Sequence, residues 1–276
     1  MTKVIICGGC GRMASKVAQL LFQDNQMELL GIIESPAHPD IGKDWGTIMG
    51  FGNAGIIISS NLEEIIQEAD QIVEFTNPKV SLQHLKTVSK DNKTMIVGTT
   101  GFSVKEIDEM KELAQNIPFL FSPNMSLGVN LLFKLAADAA VSLGDGYDIE
   151  IIESHHRFKK DAPSGTAKKL AQEIARVKNI HLEDVAIYGR EGMTGERKSG
   201  EIAIHSIRGG DITGEHTVMF TALGERLELT HKAHSRDTFA HGTIQAIKFI
   251  QGKPAGYYEM KDVLNFCDKI TKNKGK

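Results

Sequence analysis

Apolar residues follow two different rhythms along the chain, and the change falls near Ser126. In the first part, short continuous apolar runs alternate with stretches of helical spacing. Val4–Cys7, Leu29–Ile33, Gly55–Ser59, Ile72–Phe75, Met95–Val97 and Pro118–Phe121 read as strands. A helix ending near Phe22 follows the first strand, and Val80–Ser89 and Val104–Gln115 are expected to be helical. Apolar runs without alternation suit strands buried on both faces, so strand and helix in turn predict a parallel sheet with helices on its faces.

Beyond Ser126 the pattern predicts a helix over Asn130–Ser142 and a strand over Tyr147–Glu153. Ala167, Leu170, Ala171, Ile174 and Ala175 recur at helical spacing, which opens a helix near Ser164–Thr166. Glu201–Ile207, Glu215–Ala222 and Arg226–Ala233 alternate with period two, as half-buried strands do. Two helices cover one face of such a sheet. The other face, carrying Ile202 and Ile204 or their neighbours, calls for a partner subunit. Thr238–Ile250 and Met260–Ile270 read as helices that return to the first domain. The expected fold is α/β: an N-terminal Rossmann-type parallel-sheet domain (1–126 with 236–276) and a C-terminal α+β domain (127–235) with a mixed sheet of about four strands.

Composition narrows the function classes. The 276 residues are 41% hydrophobic and 24% charged, ordinary for a globular protein. A net charge of -3 argues against general nucleic-acid binding. No membrane span is expected, and the N-terminus lacks a signal-peptide layout, so a cytoplasmic protein is expected. Three cysteines make no disulfide framework. Cys7 and Cys10 stand at C-x-x-C spacing without a second such pair, and no metal site is expected.

The first candidate site is the turn Gly8-Gly9-Cys10-Gly11-Arg12-Met13-Ala14 between the first strand and its helix. With Glu34 at the end of the second strand, about 20 residues further on, this is the layout of a dinucleotide-binding βαβ unit. Glycines let the backbone approach a pyrophosphate, the helix start faces its charge, and the acid meets the adenosine ribose. Ser35 follows the acid where an NADP site often places arginine, so NADH should serve at least as well as NADPH; Arg12, Lys16 and His38 remain available to a 2′-phosphate. Turns at three later strand ends can line the nicotinamide end: Phe75 to Pro78, Gly98-Thr99-Thr100-Gly101 and Ser122-Pro123-Asn124-Met125.

The second candidate is Glu153–Ala167, ESHHRFKKDAPSGTA. Two histidines and the cations Arg157, Lys159 and Lys160 precede a helix start, which can hold an anion. Histidine can deliver a proton near neutral pH, and lysine offers a point charge or a second proton. Such a site suits a small carboxylate-bearing molecule that is protonated during reaction. Arg208 lies in a turn, Arg208–Asp211, and is expected to face the cleft; His216, His231, His234 and His241 are expected in core or surface roles.

These motifs, GGCGRMA, EFTNP, GTTG, SPNMSLGVN, ESHHRFKKDAPSGTA and RGGDITGEHTVMF with HKAHSRDTFAHG, resemble those of the 4-hydroxy-tetrahydrodipicolinate (dihydrodipicolinate) reductase family over nearly the whole chain. The resemblance implies reduction of a cyclic unsaturated imine dicarboxylate by NADH or NADPH in lysine and diaminopimelate synthesis. It implies that His155 and Lys159 handle the proton, and that His156, Gly165 and Thr166 bind a substrate carboxylate. Gly8, Gly9, Cys10, Gly11, Arg12, Met13, Glu34, Gly98, Thr99, Thr100, Ser122, Pro123, Asn124 and Met125, with Ser35 beside them, would bind the cofactor. A homotetramer built through the second domain's sheet is also implied. Phe158 stands where many members carry a further histidine, and Ser35 where NADPH users often carry arginine. The alternatives are an NADH-binding redox sensor without turnover and a homoserine- or aspartate-type dehydrogenase; the first leaves the cationic loop idle and the second gives no reason for His155-His156.

Overall fold

A computed structural model describes residues 1–264, which fold as two units, residues 1–127 with 237–264 and residues 128–236. The first unit begins β1 (Thr2–Cys7), α1 (Ala14–Phe22), β2 (Met27–Ile33), α2 (Trp45–Met49) and β3 (Ile58–Ser59). It continues β4 (Gln71–Glu74), α3 (Pro78–Lys90), β5 (Thr94–Val97), α4 (Val104–Leu113) and β6 (Pro118–Phe121). The chain then enters the second unit through α5 (Leu127–Leu143), β7 (Asp148–His155), α6 (Gly165–Lys178), α7 (Leu182–Val185) and β8 (Ala186–Tyr188). That unit ends with β9 (Ile202–Arg208), β10 (Gly214–Ala222) and β11 (Glu225–Ala233), before α8 (Asp237–Ile250), β12 (Gly256–Tyr258) and α9 (Met260–Val263) rejoin the first. The expected helix over Met260–Ile270 is present as α9; its positions beyond 264 lie outside the described residues.

In the first unit seven strands lie in the order β3-β2-β1-β4-β5-β6-β12, all pairs parallel. Ile5, Ile72, Met95 and Phe119 point to one face of the sheet, while Val4, Ile6, Val73, Ile96 and Leu120 point to the other. Each face buries its own core, which is why these strands read as unbroken apolar runs. Helix α8 covers the second face through Ala240, Ile244, Ala246, Ile247 and Ile250. Caps set the helix starts: the Asn77 side chain accepts from the Val80 amide, and Ser103 with Glu106 forms a capping box.

The Gly55–Ser59 strand shrinks to its last two residues. The Asp44 carboxylate takes the amides of Ala54 and Ile56 at 3.1 and 3.0 Å, and Gly55 turns at φ +73. Those amides are therefore spent on a turn rather than on the ladder.

The second unit holds a mixed five-stranded sheet, β11-β10-β7-β9-β8, one strand more than expected because β8 is only three residues long. β7 runs parallel to β9 and antiparallel to β10. Ile149, Ile151, Ile202, Ile204, Val218 and Phe220 pack on one face against α5 and α6. Ile202 and Ile204 thus lie on the helix-covered face; Ala203, His205 and Ile207 stand opposite, with Ile207 49% exposed. Contrary to the expectation from sequence, one segment, Leu127–Gly146, is long and apolar enough to cross a membrane by length and composition, with a mean hydropathy of 1.4. Its Leu132, Ala136 and Ala140 form part of the core beneath the sheet, and Lys134 pairs with Asp138 one turn on, so it serves as a core helix of this unit.

Candidate active site

The glycine turn after β1 is built from its own backbone. Gly8 sits at φ +78 and its amide donates to Ile33 at 2.8 Å; the Gly11 amide returns to the Gly8 carbonyl at 2.8 Å. A Cβ on Gly8 would lie 2.9 Å from the Phe75 carbonyl oxygen, and one on Gly9 2.6 Å from Ile32. Larger residues would therefore push the turn off the sheet. Met13 gives α1 no side-chain cap, but the Ser15 and Lys16 amides of the first turn donate to the Gly11 and Met13 carbonyls at 2.9 and 3.2 Å, so an anion at this helix start would rest on the remaining amides of the turn. Arg12 is exposed beside them.

Glu34 closes the opposite side of this turn. Its Oε1 accepts the Cys10 amide at 2.8 Å, and its Oε2 accepts the Ser35 amide at 3.3 Å. Each oxygen keeps a lone pair that a ribose hydroxyl can use. Lys16 is ion-paired with Asp237. Burial raises the Cys10 thiol, and Glu34 and Asp40 add to the effect, to about 11. The two cysteines fall into separate clusters, Cys7 with Glu74 and His84, and Cys10 with Glu34 and His38, each bringing three potential metal-ligand atoms within 4.8 Å of one another. In the first, His84 Nδ1 already meets Glu74 at 2.6 Å.

The other predicted cofactor residues lie beyond the carboxyl ends of β5 and β6, strands on the same side of the sheet order as β4. A Cβ on Gly98 would strike the Phe75 ring at 2.2 Å, so only glycine fits there. Thr99 is buried and accepts from Ser81 Oγ at 2.9 Å, whereas Thr100 is exposed. Ser122 Oγ donates to the Asn124 carbonyl at 2.7 Å, and Asn124 Oδ1 accepts the Ser126 amide at 2.9 Å. Pro123 is exposed. Met125 is buried in the core, so any contribution it makes to a ligand comes from its backbone.

In the second unit, β7 extends two residues further than expected and ends at His155, so this histidine stands on a strand rather than in the loop. Residues two apart share a strand face. Glu153 and His155 therefore continue the face of Ile149 and Ile151, and His155 Nδ1 lies 2.5 Å from Glu153 Oε2. Arg208, paired with His155 across β7 and β9, grips both Glu153 oxygens at 2.8 and 2.7 Å. The Ser164 amide donates to Glu153 Oε1 at 3.1 Å. Burial would raise the Glu153 carboxyl; Arg208, Ser206, His155 and the Ser164 amide outweigh it and hold it at about 2. Burial lowers the His155 imidazole and Glu153 raises it, while Lys159 and Arg208 lower it further; the net direction is down.

Ser164 caps α6, its hydroxyl accepting the Ala167 amide at 3.2 Å, and the same oxygen lies 3.1 Å from His216 Nε2. Burial, with His155 adding, pushes His216 down to about 3, which keeps it neutral. Gly165 opens the helix with open space where a side chain would be, and Thr166 follows it in the first turn. Lys159 Nζ pairs with Asp161 at 2.9 Å. His156 Nδ1 is buried with no hydrogen-bond partner among the described residues, a group that a ligand can satisfy. The Arg208 side chain, expected to face the cleft, is held by Glu153 and the Asp161 carbonyl. Glu153 and His216 are the residues that sequence reasoning missed: the histidine was expected in an ordinary core or surface role, and the glutamate looked like one more residue of a strand. Their roles follow from strand register, and one weak signal existed, a carboxylate two positions before a histidine on one strand face.

A parallel sheet with a glycine turn and an acid at the end of its second strand, in a chain whose other unit bears an imidazole–carboxylate pair at a helix start, defines a nicotinamide-dependent oxidoreductase. Family models described as "Dihydrodipicolinate reductase, N-terminus" and "Dihydrodipicolinate reductase, C-terminus" match residues 2–125 and 128–264. The chain is 48% identical over 266 residues to the 4-hydroxy-tetrahydrodipicolinate reductase of Syntrophus aciditrophicus, covering 96% of this chain and 99% of that one. It is 44% identical over 264 residues to the enzyme of the same name from Citrifermentans bemidjiense, with 96% and 99% covered. Among solved structures, the dipicolinate-bound dihydrodipicolinate reductase of Paenisporosarcina sp. TG-14 superposes with a TM-score of 0.75 at 27% identity, covering 97% of this chain and 100% of that one. The chain belongs to the dihydrodipicolinate reductase family.

Proposed function

We propose that the chain reduces 4-hydroxy-tetrahydrodipicolinate to tetrahydrodipicolinate, a step of lysine and diaminopimelate synthesis, with water lost from the ring. The observation that carries this reading is the end of β7: an imidazole fixed by a buried carboxylate, next to a helix start and a lysine in one unit. Reduced nicotinamide, when bound, supplies a hydride to the ring. The residues around the glycine turn fit such a cofactor, since Gly8 and Gly9 hold a backbone surface that a Cβ would obstruct and Glu34 has acceptor capacity to spare. Gly8 to Met13 receive the pyrophosphate and Glu34 the adenosine ribose; Gly98 to Thr100 and Ser122 to Met125 line the rest.

Loss of the ring hydroxyl with a hydrogen from the neighbouring ring carbon, as water, gives the unsaturated imine; hydride addition to it would leave an enamine-like anion, which takes one proton. His155 or Lys159 delivers it. His156, Gly165 and Thr166 hold a carboxylate, and a dicarboxylate competes with Asp161 for Lys159. NADH serves at least as well as NADPH. Glu34 opposes a 2′-phosphate, Ser35 brings no compensating charge, and Lys16 is engaged by Asp237. The outer face of the second sheet, where Ile207 is exposed, is where further copies complete a homotetramer in the cytoplasm.

The test is loss of reduced-nicotinamide absorbance with the cyclic imine generated in place, using each cofactor in turn. Binding of NADH without turnover of the imine would instead favour a sensing module. Light scattering in solution decides the tetramer; a monomer would remove it.

A further inference from the structure

We infer that Glu153 is a positioning residue of the reductase: gripped by Arg208 and the Ser164 amide, it holds the proton of neutral His155 on Nδ1, while Gly214 keeps Nε2 clear as the working nitrogen. The inference rests on the proposal that His155 delivers the proton.

Three observations converge. The first is the confinement of the carboxylate. Glu153 is fully buried, and it receives both Arg208 nitrogens, the Ser164 amide and His155 Nδ1. An ionised carboxylate only accepts hydrogen bonds, so the Nδ1 facing it at 2.5 Å carries the hydrogen. The Nε2 lone pair is then the remaining site for a proton that can be passed on.

The second is the space at Nε2. Gly214 is the residue of β10 next to His155 across β7, since Glu215 pairs with Ser154. A Cβ on Gly214 would lie 3.2 Å from His155 Nε2 and 3.5 Å from its Cδ2. Glycine leaves that edge of the ring uncovered at the one nitrogen that Glu153 does not use.

The third is the charge around the ring. Glu153 on its own strand, Arg208 from β9, His216 from β10 and Lys159 from the following loop face His155. Neutral His216 stands edge-on at 5.2 Å between ring centroids and adds no charge near neutral pH. Both cations disfavour the imidazolium, and Glu153 is the anion that favours it. Without that charge the imidazolium becomes scarcer, while Arg208 and Lys159 stay.

The test uses the full-length protein. Nitrogen NMR of histidine-labelled wild-type protein should show the Nδ1–H tautomer for His155; the Nε2–H tautomer would overturn the inference without any variant. Glu153→Gln should move the limb on which kcat/KM falls with rising pH downward by about one unit. That shift corresponds to about a tenfold loss above the limb and little loss well below it. A packing role alone gives a loss of equal size at every pH, and that outcome would also overturn it. Gly214→Ala, which leaves every charge in place, should lower kcat more than it raises KM; unchanged kinetics would show that Nε2 needs no clearance. His155→Ala separates the two readings. If it turns over like wild type, His155 is not the proton donor and the role of Glu153 falls with it; a large loss in His155→Ala beside an Nε2–H tautomer in the wild type would fail the inference about Glu153 alone.

Discussion

Replacing Glu34 by glutamine tests the cofactor site at the point where charge and shape can be separated. Glutamine keeps an oxygen for the Cys10 amide, which now donates to Glu34 Oε1 at 2.8 Å, so the glycine turn should hold its form. What is lost is the charge. A hydrogen bond to a charged group contributes about 1.5–3 kcal/mol. Part of this survives through the amide, so a loss of about 1.5 kcal/mol is expected, or roughly tenfold in the NADH dissociation constant. For NADPH the same change removes a repulsion. Glu34 is partly exposed, so the aqueous end of the Coulomb range applies, about 1 kcal/mol for unit charges 4 Å apart. NADPH binding should therefore be unchanged or tighter, and the preference should move toward NADPH by at least about tenfold. Calorimetric titration of wild type and variant with both cofactors measures this, with thermal unfolding as a control on the turn. Equal weakening of both cofactors at an unchanged melting temperature would refute the assignment of Glu34 to the ribose.

Three further outcomes are expected. His155→Ala or Lys159→Ala should lower turnover by about 10²- to 10⁴-fold while NADH binding persists, read by steady-state kinetics and calorimetry; unchanged turnover in both would remove the assignment. Gly98→Ala forces a methyl into the Phe75 ring and should cost about 1–3 kcal/mol, seen as a melting temperature several degrees lower. Acid should destabilise the second unit progressively. Buried His216, lowered to about 3, resists the proton that the unfolded chain takes near pH 6.5; Glu150 and Glu153, both lowered to about 2, contribute stability above about pH 4.5 that is lost as pH falls toward 2. Denaturant titrations across that range should show falling stability from pH 7 downward, and a flat profile would contradict the geometry at Glu153 and His216.

The parallel sheet was legible because Ile5, Ile72, Met95 and their neighbours are buried on both faces and leave uninterrupted apolar runs. The glycine turn and Glu34 were legible because a fixed spacing carries their mechanism. Short elements were not: β8 and β12 have three residues each, too few to show a period. The candidate proton donors could be found in one contiguous motif, but their support could not. Arg208 and His216 come from strands 53 and 61 residues beyond His155, and only register across β7, β9 and β10 brings them to Glu153. A sequence shows what a strand contains; the partner strand decides what a buried carboxylate on it is for.

The last residues of the first unit carry a consequence for biosynthesis. Helix α8 and strand β12 complete a sheet whose other six strands precede the whole second unit. On the ribosome, the inserted unit is finished first, while the opening half waits with the Ile6 and Val73 side of its sheet lacking α8. A nascent chain halted near residue 236 should therefore expose this apolar surface to chaperones, even with its inserted unit already folded.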